Sequence, residues 1–161
     1  MLKRIFASFV MLSLLIPTLT SCGEKTFSHA ELYMTLPSSF DAVESAEYDL
    51  ALTDGEATVG LMRISLVAAM ESGIRDTYSP KDFAEFMRDE SNIDSEVYTY
   101  KDIPYYTVAA SSGGRDFYSL YTFYRSKSAY FVIVFTAPKD REEEWREKFL
   151  GFADTVNFTD N

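Results

Sequence analysis

One cysteine, one histidine and one tryptophan occur in the 161 residues of this chain. A lone cysteine excludes an intramolecular disulfide. The lone histidine, His29, falls in a short polar stretch ahead of the domain expected below. A Ser-His-Asp triad, a Cys-His pair and a histidine-rich zinc site are therefore not available to that domain. Basic residues are also scarce, at 15 Lys plus Arg against 25 Asp plus Glu. Such a chain is repelled by nucleic acid and by anionic membrane surfaces. With seven glycines and five prolines, no Pro/Gly-rich linker, repeat or low-complexity segment divides it. What is abundant is apolar and aromatic side chain, 47% and 16% of the residues, enough for a packed core and too much for a disordered tail.

Residues 1–21 contain no acidic side chain, one basic pair (Lys3, Arg4) and an apolar run from residue 5 to residue 16. A charged start, a short apolar run and small residues before a cleavage point describe a secretory signal. The run is too short to cross a bilayer, which needs about 20 residues. It ends in Leu19-Thr20-Ser21-Cys22-Gly23, which resembles the bacterial lipobox. That motif needs the thiol, because a diacylglyceryl group is attached to sulfur before cleavage leaves the cysteine as the new N-terminus. The sequence thus predicts a signal peptide over 1–21, lipidation of Cys22, a lipidated tether over 22–30 and a single domain over 31–161. The mature chain keeps 13 basic residues against 25 acidic ones, a net charge of about −12. The expected location is the extracytoplasmic face of a cell membrane, or the outer membrane of a two-membraned envelope, since two acyl chains give stable anchoring.

Within the domain, periodicity predicts strands joined by tight turns, with two helices. Residues 31–36 form a first strand, stopped by Pro37. Residues 47–53 alternate, with Tyr48, Leu50 and Leu52 on one face. Asp54-Gly55 signals a two-residue type I′ hairpin into a strand over 57–66. Ser79-Pro80 caps a helix whose Phe83, Phe86 and Met87 share one face. Strands over 96–101, 103–111, 117–124 and 129–137 follow as an antiparallel meander. The last, around Tyr130-Phe131-Val132-Ile133-Val134-Phe135, is apolar on both sides and so must be covered on both faces. A final helix carries Trp145, Phe149, Phe152, Ala153 and Val156 as one cover, and the first helix is the other. The expected order is β-β-β-α-β-β-β-β-α, an α+β fold with an antiparallel sheet of six to seven strands between helices.

Leu36-Pro37-Ser38-Ser39-Phe40 after the first strand resembles the opening of the PsbP/Mog-type superfamily, which includes DcrB-like bacterial envelope proteins. Tyr121, Phe123 and Tyr124 before the apolar last strand, and a final Trp/Phe helix ending in Ala153-Asp154-Thr155-Val156, fit the same layout. The resemblance covers about residues 31–158. It implies an α/β/α sandwich serving binding and accessory roles, with no shared catalytic residues and no cofactor.

The densest acidic loop, residues 89–96, lacks the Asp-x-Asp-x-Asp-Gly spacing of a calcium loop and has Ile93 in its middle, so it reads as the polar end of a helix. Ser112-Gly113-Gly114-Arg115 lies between two strands and reads as a hairpin, not a phosphate loop. Eight tyrosines fall on four consecutive strands (Tyr98, Tyr100, Tyr105, Tyr106, Tyr118, Tyr121, Tyr124 and Tyr130), where cross-strand packing is their ordinary role. Among them Tyr98 and Tyr100 are the expected contacts for a partner, since they share one face where pairing is least complete. Two functions follow from these residues. One is a non-catalytic envelope lipoprotein, held to the membrane through Cys22, that binds a protein partner or small ligand. The other is an envelope enzyme using carboxylate or Tyr/Lys chemistry in a pocket between sheet and helix.

Overall fold

The computed structural model describes residues 23–159. Cys22 and the signal peptide expected over 1–21 lie outside the described residues. Leu32, Met34 and Leu36 alternate with more exposed neighbours, and their burial on one face makes residues Leu32–Pro37 a strand, β2. The preceding segment is also a strand, which corrects the tether expected over 22–30. This strand, β1 (Glu24–His29), pairs antiparallel with β2 from Glu24 opposite Pro37 to His29 opposite Leu32. Only Phe27 of β1 turns inward, where it is 8% exposed within the core. The rest faces solvent, as an edge strand does, and such a strand reads as polar linker. The C-terminal pair Asn157–Phe158, here β10, completes a three-stranded sheet on the other side of β2.

A larger sheet carries the remaining strands: β3 (Asp41–Val43), β4 (Leu50–Thr53), β5 (Thr58–Ser65), β6 (Tyr98–Tyr100), β7 (Ile103–Ser112), β8 (Arg115–Arg125) and β9 (Ala129–Pro138). Their order is β3-β4-β5-β9-β8-β7-β6, and every pairing is antiparallel. Strand β9 lies inside the sheet and is buried on both sides, as its unbroken apolar run requires. Phe131, Ile133 and Phe135 face one core with the small sheet and helix α3 (Glu142–Ala153); Tyr130, Val132 and Val134 face a second core under helices α1 (Leu66–Glu71) and α2 (Pro80–Glu90). The antiparallel sheet expected with six to seven strands has seven, with helices on both faces, and the small sheet shares one face with α3.

Helix α2 starts where its side chains dictate. The Ser79 hydroxyl accepts from the Asp82 N–H while Asp82 accepts from the Ser79 N–H, a reciprocal cap with Pro80 in the first turn. Phe83 of α2 then inserts between Phe123 and Tyr130, with ring centroids 5.5 and 4.6 Å away. On the other face Phe149 of α3 lies 5.2 Å from both Phe135 and Trp145.

Three local expectations change. Helix α1 follows β5 directly, capped by Ser65, where none was expected; six residues are too few to show a helical period. The β4–β5 loop takes four residues, 54–57, instead of two. Asp54 Oδ1 accepts from the N–H groups of Glu56 (3.0 Å) and Ala57 (2.8 Å), which holds the wider loop closed. Tyr48 does not share a face with Leu50 and Leu52: it precedes β4, and its ring packs across Gly60 into the second core. Gly60 is required there, because an added Cβ would sit 2.5 Å from that ring.

Candidate functional site

Most of the tyrosines pack. Tyr106, Tyr118, Tyr124 and Tyr130 are buried, and Tyr105 and Tyr121 are half-buried. Tyr106 stacks on Tyr121 at 5.1 Å and meets Phe123 at 5.2 Å, forming an aromatic layer under α2. Burial raises the phenol pKa of Tyr106, Tyr121 and Tyr124 above the ordinary value. It also pushes that of Tyr48 up to about 12. None of these is a candidate proton carrier near neutral pH.

Tyr98 stands apart. It is 46% exposed, on β6, the outermost strand of the large sheet, which pairs with β7 alone. Its ring lies over Tyr105, directly opposite in the register, with centroids 5.6 Å apart. Tyr100, two residues on, is half-buried, and the Lys101 ammonium lies 5.4 Å from its ring. The β6–β7 turn is made of Lys101 and Asp102 alone, at φ of 45° and 68°; both residues take the left-handed region, as a type I′ turn demands. Lys101 Nζ donates to Asp154 at 2.6 Å, just past the end of α3, and this contact raises the lysine pKa. Edge strand, turn and helix end thus hold the two tyrosines in place. The result is an aromatic edge with a polar rim at the last strand of the sheet.

A carboxylate site fares differently. Glu31, in the β1–β2 turn, accepts from Arg63 Nε at 3.1 Å, from Ser126 Oγ at 2.7 Å and from Ser128 Oγ. Burial alone would raise its pKa, but the Ser128 and Ser126 hydroxyls and the Arg63 guanidinium outweigh it and hold the carboxyl at about 2. On α3, Glu142 is bonded by Lys139 and Arg146, and Glu144 by Arg141 and Lys148; both carboxyls are lowered. Asp82 is lowered as well, by its bonds to Ser79. The carboxyls that are displaced all move downward, whereas a general acid needs the opposite.

The remaining candidates are structural. His29 ends β1, where it faces Leu32 across the hairpin. The acidic loop after α2 sends Ile93 and Val97 into the second core, and Asp89 is bonded by Arg88. Among the described residues no group of three His, Cys, Asp or Glu is gathered to hold a metal ion. Gly113 and Gly114, at φ of 58° and 76°, form the two-residue β7–β8 turn. Among the described residues, open surface grooves run along the paired charges of residues 139–146 and along residues 43–51.

Sequence reasoning named Tyr98 and Tyr100 but missed their supports, Tyr105 and the Lys101–Asp154 pair, because these depend on strand order and on where α3 ends. It also missed the Glu31 cluster, whose members lie 95 and 97 residues apart.

The chain matches no protein-family model, and no curated protein matches it. Solved structures do. A protein from Bacteroides thetaiotaomicron VPI-5482 is 14% identical, with a TM-score of 0.61 over 85% of this chain; the match spans about half, 49%, of that longer chain. Cyanobacterial PsbP (CyanoP) from Synechocystis sp. PCC 6803 is 13% identical at a TM-score of 0.54, over 90% of this chain and 98% of its own. The Saccharomyces cerevisiae Ran-binding protein Mog1p is 9% identical at 0.54, over 87% and 97%. At such low identity the likeness speaks for the fold, and the domain therefore has a PsbP/Mog-type α+β fold.

Proposed function

We propose that this chain is a cell-envelope lipoprotein, attached through Cys22, whose domain binds a protein partner or small ligand at the membrane surface without chemistry of its own. The observation that carries the binding reading is the edge of the large sheet, where Tyr98 lies exposed and braced on Tyr105. An amphipathic aromatic on a rigid edge offers contact area at low entropic cost. The Ran-binding Mog1p shows that the same fold serves a protein-binding role elsewhere. The lipobox-like Leu19-Thr20-Ser21-Cys22 supplies the anchor.

Two measurements test this. Cys22→Ala should abolish the membrane-bound mature form, and the N-terminal peptide of the wild-type protein should carry a diacylglyceryl mass; its absence refutes the anchor. A photo-crosslinking residue placed at position 98 in the native envelope should capture a discrete species, and Tyr100→Ser should weaken that capture. Turnover of a glycan, peptide or phosphoester by purified protein, abolished by a single carboxylate substitution, would overturn the binding reading.

A further inference from the structure

The correction at β1 removes the slack that a lipid tether would provide. Gly23 is already tied to the end of the small sheet: its carbonyl accepts from the Ser38 N–H at 2.9 Å, and β1 begins at the next residue. If Cys22 carries the lipid, a single residue separates the acylated position from a paired strand. The point of attachment is then fixed to one end of the molecule.

Register and ion pairs define what else lies at that end. Ser39 follows Ser38, and Lys25 is paired with Asp41 at 3.4 Å. Asp41 opens β3 opposite Thr53, which brings the 54–57 loop alongside. Arg141 is paired with Glu56, which adds the turn containing Asp140. The opposite end begins at Ala30, seven residues on from Gly23 across the six of β1, or ~23 Å at ~3.3 Å per residue. The Glu31 bonds to Ser126 and Ser128 place the β8–β9 turn, with exposed Lys127, at that far end. The β6–β7 turn belongs there too, because Tyr105 lies opposite Thr122, near the close of β8.

We infer that the lipidated protein stands on the bilayer in one orientation, with the end carrying Gly23, Ser39, Gly55 and Asp140 against the lipid headgroups and the end carrying Lys127 and the β6–β7 turn directed away. This rests on the anchor reading above and deepens it. Three of the cations at the near end are already engaged, Lys25 with Asp41, Arg141 with Glu56 and Lys139 with Glu142, while Arg115 lies exposed at the start of β8. The covalent link is what sets the orientation. One consequence is that Tyr98 and Tyr100 are presented outward.

The lone cysteine makes the test direct, since acylated Cys22 does not react with maleimides. Ser39→Cys and Lys127→Cys are made separately in the full lipidated protein, both positions being exposed, and labelled with a fluorophore. Each is reconstituted in phosphatidylcholine vesicles containing a headgroup-nitroxide lipid. The expected result is loss of most of the fluorescence at position 39 and retention of nearly all of it at 127. A flexible insert of Gly and Ser between Gly23 and Glu24 should erase the difference. Equal quenching of the two labels in vesicle-bound protein overturns the orientation while leaving the anchor intact. Protein that stays in the soluble fraction, with no diacylglyceryl mass at its N-terminus, overturns the anchor reading itself.

Discussion

Glu31 joins the two sheets through one carboxylate, so its neutralisation has a calculable cost. Its side chain is 12% exposed and that of Arg63 28%. The carboxyl sits at about 2 in the folded protein against an ordinary 4.5. At ~1.36 kcal/mol for each pH unit between these values the ionised form contributes ~3 kcal/mol, and screening at the molecular rim reduces this to about 1.5–2.5 kcal/mol. Because the folded value is depressed, the contribution is complete above about pH 4.5 and is lost as pH falls towards 2. Glu31→Gln keeps the shape, removes the charge and leaves Arg63 without its partner. Urea unfolding at pH 7 should therefore show a loss of about 1.5–2.5 kcal/mol relative to wild type. That gap should shrink steadily at pH 4 and pH 3. The lowered carboxyls of Asp82, Glu142 and Glu144 titrate in both proteins, so the difference between the two isolates Glu31. A gap under ~0.5 kcal/mol at pH 7, or one that does not depend on pH, refutes the reasoning.

Other substitutions probe the cores. Trp145→Ala should cost about 3–5 kcal/mol by chemical denaturation, as truncation of a buried aromatic does. Trp145→Phe should cost far less, because packing on Phe149 is kept and the buried indole N–H, which has no hydrogen-bond partner among the described residues, is removed. Gly60→Ala should destabilise by about 1–3 kcal/mol through collision with the Tyr48 ring, and most of that loss should vanish in a Tyr48→Ala background. Phe27→Ala should cost about 3 kcal/mol if β1 belongs to the core, and nothing if residues 22–30 are a detached tether.

The parts of the fold legible in sequence were those fixed by a local side-chain rule. Residues 130–135, apolar on both sides, required a layer on each face, and the structure supplies α3 with the small sheet on one and α1 with α2 on the other. Ser79 and Pro80 marked the start of α2 to the residue. What escaped was set by tertiary neighbours. Tyr48 looked in register with Leu50 and Leu52 until the chain bent before β4 and sent its ring across Gly60. Asp54-Gly55 indicated a two-residue turn, but the Asp54 carboxylate bonded two further N–H groups and widened it. The tyrosine pattern of residues 98–130 carried no mark of which rings are free, since exposure of Tyr98 follows from β6 being the last strand of the sheet.

Strand β1 bears most directly on function. Its sequence, Glu24-Lys25-Thr26-Phe27-Ser28-His29, is polar at five of six positions, which is what a flexible connector also looks like. A strand at the edge of a small sheet needs only one inward side chain, and Phe27 provides it. The same residues therefore have opposite mechanical meanings: as a connector they would let an anchored domain tumble about its lipid, and as a strand they hold it by one end. Backbone pairing decides between the two. Six register positions between β1 and β2, continued by the Ser38 to Gly23 bond, make residues 23–29 part of the folded domain. In the orientation inferred above, the end that carries the β6–β7 turn, beside the exposed ring of Tyr98, is the one directed away from the bilayer.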